Sequence, residues 1–149
     1  MKQSWRATDY SAVFLRAALA SAFLSAVADR FGLWGHAGET HVGWGDFSHF
    51  IAYTERLTPI VPIYLGPVTA WAATIAETVL ALALLLGLWT RSAAFLSSIL
   101  LLLFAIAMAL TLGVKAPLDF SVFSASAGAF LLSSCDGYKL SVDGLRTSR

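Results

Sequence analysis

Cysteine is almost missing from this chain, and charge is scarce. The single cysteine, Cys135, excludes an internal disulfide, a CxxC redox pair and a cysteine zinc site. It reads as a small apolar residue near a helix end. Asp, Glu, Lys and Arg together make up 13% of the 149 residues, against roughly a quarter in an ordinary soluble domain. So few charges cannot cover the surface of a water-soluble fold of this length. The net charge is +1 and no run of basic residues occurs, which argues against a nucleic-acid partner. Internal repeats are absent. The three histidines, His36, His41 and His49, share one segment with Glu39 and Asp46, but their spacing matches no metal-binding signature, so no metal site is expected.

What the chain has instead is apolar length. Hydrophobic residues make up 58% of it, and its mean hydropathy is +0.72. Four apolar segments stand out, at about 11–31, 66–88, 92–114 and 117–134, measured against the ~20 residues that span a bilayer core. The third carries no charge, and the second carries one acid, Glu77. The first is interrupted by Arg16 and closed by Asp29 and Arg30. It has a rival reading as a signal peptide, with Lys2 and Arg6 as its positive end and Ala26-Val27-Ala28 as a cleavage site, but a charge at Arg16 fits such a peptide poorly. The pattern predicts an all-α, four-helix transmembrane bundle forming a single domain over 1–149.

Lysine and arginine set its orientation. With the N-terminus inside, Lys2, Arg6, Arg16, Arg91, Lys139, Arg146 and Arg149 lie at or toward the cytoplasm, and Arg30, Arg56 and Lys115 lie outside. The cytoplasmic excess predicts an N-in/C-in arrangement. The aromatic residues agree, with Trp5, Tyr10, Trp89 and Tyr138 at the inner interface and Trp34, Trp44, Tyr53 and Tyr64 at the outer one. In the first outer loop, about 46–57 predicts a short amphipathic helix on the membrane surface. Asp46 serves as its cap, Phe47, Phe50, Ile51, Thr54 and Leu57 form its apolar face, and Pro59 and Pro62 end it.

Ionisable groups within the spans are costly and therefore informative. Arg16 and Glu77 are expected to face the bundle interior as an intramembrane polar pair, in contact directly or through water. That contact would either fix helix register or handle a ligand or proton. The competing reading sends Arg16 to the inner headgroups and leaves Glu77 protonated. Trp71, Thr74 and Thr78 share a helix face near Glu77, and either line a pocket or pack. Asp29, Arg30 and Arg91 read as helix-end charges. In the last segment, Ser121, Ala125 and Ala129 stand at four-residue spacing, a face on which helices approach closely. It is expected to pack on the bundle or on a membrane protein partner. The leucine-rich third segment is expected to face lipid. No catalytic residue is evident.

The stretches LRAALASAFLSAVADRFGLWG (15–35) and AETVLALALLLGLWTRSAA (76–94), with the alanine- and serine-rich last segment, resemble the DoxX family of small bacterial membrane proteins. Arg16, Glu77 and Arg91 match charged positions that recur in that family. The resemblance implies a four-helix, multi-pass protein of the bacterial inner membrane. Related proteins form a thiosulfate:quinone oxidoreductase, so it also implies a link to a membrane oxidoreductase, with quinone as the cofactor to consider. The lone cysteine stands against independent thiosulfate chemistry. The alternative is a small carrier or binding protein for an apolar or anionic compound.

Overall fold

The computed structural model describes residues 5–147. Lys2 and Arg149, counted above among the cytoplasmic charges, lie outside them. The described residues form α1 (Ala7–Arg30), α2 (Phe47–Leu57), α3 (Gly66–Leu86), α4 (Thr90–Leu112), α5 (Lys115–Asp119), α6 (Val122–Ser133) and α7 (Val142–Thr147), with a 3-10 turn at Ile63–Leu65. No strand occurs among them. Three stretches, Ala7–Arg30, Ile63–Leu86 and Thr90–Leu112, are long and apolar enough to cross a membrane.

Local chemistry accounts for the helix ends. Arg6 N–H donates to Asp9 Oδ2 at 2.8 Å, which places an acid in the first turn of α1, where the helix dipole favours it. α2 begins at the Asp46 cap, whose side chain accepts from His49 N–H at 3.0 Å. Pro67 lies in the first turn of α3, where its missing N–H costs nothing. α3 stops at Gly87, in the left-handed region at φ 67°. A side chain there would also run into Ser141 and the Arg16 guanidinium, so this position requires glycine twice over.

The last apolar segment is not one helix. It breaks between α5 and α6, with Ser121 at φ 55°. Lys115 and Asp119 pair on the exposed side of α5, which keeps both charges at the end of the bundle. The turn then lets α6 settle on α4. α6 has 12 residues, about 18 Å at 1.5 Å per residue, short of a ~30 Å hydrocarbon core.

The core joins α1, α3, α4 and α6 through Leu19, Phe23, Leu84, Ala94, Ala129 and Leu132. Between α4 and α6 the approach is close enough for Ser126 Oγ to donate to the Ser98 carbonyl at 2.8 Å. Of the expected small-residue face, Ser121 sits exposed at the break, Ala125 is half-buried and Ala129 is fully buried against α4 and α1. That row is therefore used largely inside the chain. α4 splits likewise: Ala93, Ala94, Ser97, Ser98, Ala105 and Met108 face inward, while Leu96, Leu103 and Leu110 face outward.

Candidate functional site

α1 carries two buried arginines, and each finishes at a different end of the bundle. At the end holding the start of α1, Arg16 Nε donates to the Leu84 carbonyl at 2.9 Å and Nη1 to the Lys139 carbonyl at 2.9 Å. Its Nη2 reaches the carbonyls of Leu85 and Leu140 at 3.3 and 3.2 Å. Leu84 and Leu85 lie in the last turn of α3, where carbonyls lack the regular i+4 helical donor; Leu84 also accepts from the Gly87 N–H at 3.3 Å. Arg16 thus ties α1 to the end of α3 and to the C-terminal segment. That segment reaches on to α4, because the Asp143 carboxylate accepts from the backbone N–H groups of Trp89 and Thr90 at 3.0 and 2.7 Å.

Toward the 31–65 connection, Arg30 is the partner of Glu77. Its Nη2 lies 2.7 Å from both carboxylate oxygens, and Nη1 donates to Thr74 Oγ1 at 2.8 Å. Arg30 is 2% exposed and Glu77 1%. The expected Arg16–Glu77 pair is therefore incorrect. The reason is directional: helical side chains tilt toward their own N-terminus. On antiparallel α1 and α3, Arg16 leans toward the start of α1 and Glu77 leans away from it, so the two diverge. Arg30 leans back down α1 and meets Glu77. The same geometric rule favours a helix-end charge over Arg16 as the partner, but only the offset of α1 and α3 selects Arg30.

Helix offset completes the match. Thr74 is eight residues into α3, roughly 12 Å from its start, so α3 continues well past the end of α1. The 31–46 connection and α2 fill that step. Asp29 Oδ2 accepts from Gly43 N–H and Trp44 N–H, each at 2.9 Å, and so draws the connection over the end of α1. Trp44 then lies 5.4 Å from Arg30 Cζ, and the Phe50 ring of α2 covers that carbon at 3.7 Å, both within range of a cation–π contact. Two polar atoms at this step are buried without a hydrogen-bond partner, Arg30 Nε and Asp29 Oδ1.

Aromatic rings continue outward from Phe50. Phe47 lies 5.9 Å from Phe50 and 4.4 Å from Trp71, and Phe31 lies 5.7 Å from Phe47. Of the expected pocket residues, Thr74 belongs to the polar site as an Arg30 partner. Thr78 supports it by donating to the Thr74 carbonyl at 2.8 Å. Trp71 instead stands in the ring row, 47% exposed. Arg91 is remote from all of this: it is exposed, donates to the Cys135 carbonyl at 3.2 Å, and borders a shallow surface cleft with Phe95 and Ser133. The three histidines are exposed, and His49 Nδ1 lies 2.8 Å from Asp46 Oδ2. Among the described residues no group of His, Cys, Asp and Glu is arranged to hold a metal.

No curated protein matches the chain, and no solved structure does. A family model does match: that of DoxX, over residues 11–111. Those residues contain most of α1 with both arginines, the capped α2, α3 with Glu77, and nearly all of α4. The chain is a member of the DoxX family, a multi-pass membrane protein by its apolar helices.

Proposed function

We propose that the chain crosses the bacterial inner membrane four times, with both termini in the cytoplasm, and serves as a quinone-linked module or accessory subunit of a membrane oxidoreductase system. One observation carries the functional part: the Arg30 guanidinium is buried against Glu77, roofed by Phe50, and retains an unpartnered Nε. Burying such a cation is costly, and an unsatisfied N–H adds to that cost. A flat ring bearing carbonyl oxygens fits both features, since it stacks on the neighbouring rings and accepts from Nε. A bound quinone would supply the electron-accepting chemistry. In this reading Arg30 orients the quinone oxygen, Glu77 and Thr74 hold the guanidinium in place, and Trp44 and Phe50 exclude water.

The test is saturable binding of a long-chain quinone to the purified protein in lipid nanodiscs. Arg30→Lys keeps the charge but loses the planar set of donors. It should weaken binding at least tenfold while leaving the helical content unchanged. Equal binding by the wild type and this variant, or no saturable binding by either, refutes the reading. The alternative, a small carrier for an apolar or anionic compound, draws on the same cation. It is favoured if an anion of that kind binds and quinone does not.

A further inference from the structure

The Arg30 site is shut on the side facing the 31–46 connection and lined with rings on another. Trp44, fixed by Asp29, and Phe50, fixed by α2, cover the guanidinium. Trp71 stands on the outward stripe of α3 with Val68, Ile75 and Val79, all apolar and exposed. On a membrane-spanning helix such a stripe meets lipid. From Trp71 the rings run without a gap through Phe47 to Phe50, which rests on Arg30. Phe31, 50% exposed, flanks the row at 6.2 Å from Trp71. Near its inner end lies the buried, unpartnered Nε.

We propose that Phe31, Phe47 and Trp71 form a side entrance from the lipid phase to Arg30. Its occupant is a flat amphiphile dissolved in the membrane, whose small oxygen-bearing head accepts a hydrogen bond from Arg30 Nε. This rests on the quinone-linked reading above, and it adds the route by which the ligand arrives. An aromatic row suits a flat body because stacked or tilted rings attract one another beyond the area they bury. A water-borne anion has no use for such a row. For the head to reach Nε, Phe50 must slide off the guanidinium. The entrance therefore requires α2 to carry Phe50 aside; of its 11 residues, two, Phe50 and Thr54, are buried.

The experiment uses the full chain in liposomes and intrinsic tryptophan fluorescence. One probe is a long-chain benzoquinone dissolved in the bilayer; the other is a sulfonated naphthoquinone, soluble in water and unable to cross lipid. The long-chain quinone should quench saturably and the sulfonate should not. Phe31→Leu and Phe47→Leu, which keep apolar bulk but remove the ring, should raise half-saturation at least tenfold. Leu110→Ala, on the exposed face of α4, should leave it unchanged. Trp71→Phe should bind within threefold of the wild type, and this ring-preserving variant guards against effects of misfolding. If the sulfonate binds instead, or if the leucine variants bind long-chain quinone normally, the side entrance is refuted while a quinone-linked role survives. If neither probe binds to any form, the functional reading fails and the entrance falls with it.

Discussion

Breaking the Arg30–Glu77 pair and removing it should have different costs, because the two charges neutralise each other where water is excluded. Arg30→Leu leaves the Glu77 carboxylate without its cation, and should destabilise the protein by about 3–5 kcal/mol, the usual cost of breaking a buried pair. Glu77→Gln should be milder, since its carbonyl still accepts from Arg30 and the Phe50 ring still covers the guanidinium. Arg30→Leu combined with Glu77→Leu should recover most of the loss. Thermal unfolding in detergent, followed by circular dichroism, measures all three, and a double variant no better than Arg30→Leu would disprove this account of the pair. Both residues were legible in the sequence, Glu77 as an acid inside a span and Arg30 as a charge closing another. Their partnership was not, because equal height along two helices is a weaker guide than the direction in which side chains lean.

α2 depends on its cap. Asp46 accepts hydrogen bonds from Ser48 Oγ at 2.5 Å, from His49 N–H and from His49 Nδ1. These, in that order, hold its carboxyl well below the usual aspartate range. A depressed folded-state value means the contribution is fully present above the ordinary value of about 3.9 and fades as pH falls through the lower one. The cap should therefore hold α2 unchanged from neutral pH down to about 5 and weaken only in strong acid. Asp46→Ala should loosen α2 at all these pH values, whereas Asp46→Asn, another good capping residue, should largely preserve it. Proteolysis within residues 46–57 in the reconstituted protein reads this directly, and equal cleavage of wild type and Asp46→Ala would show the cap to be idle. The capped, amphipathic pattern of α2 was readable because it is local. The break before α6 was not: neither glycine nor proline marks it, and the turn at Ser121 exists because α6 docks on α4.

For the whole molecule the main prediction is orientation. Reporters fused before Met1 and after Arg149 should both signal from the cytoplasm, and one inserted within the 31–46 connection should signal from outside. A C-terminal reporter on the outer side would refute the four-crossing arrangement. Within the fold, both described ends of the chain already meet at one end of the bundle. There Arg16 holds the Lys139 and Leu140 carbonyls, and Asp143 caps α4. Arg16 is a clasp for the C-terminal segment, so an arginine early in the first span reads as a structural bolt at that end and as no part of the Glu77 site.

Composition and spacing alone determined that this chain is helical and membrane-bound, where its three long apolar helices run, and that α2 starts at Asp46. Each of these follows from the bilayer's demand for apolar length or from hydrogen bonds between near neighbours. The partners of Arg16 and Glu77, the roof over Arg30 and the division of the last segment were decided only in three dimensions. They depend on how far α1 and α3 slide past each other, and that offset is set by packing among Leu19, Phe23, Leu84 and their neighbours, which no local pattern encodes.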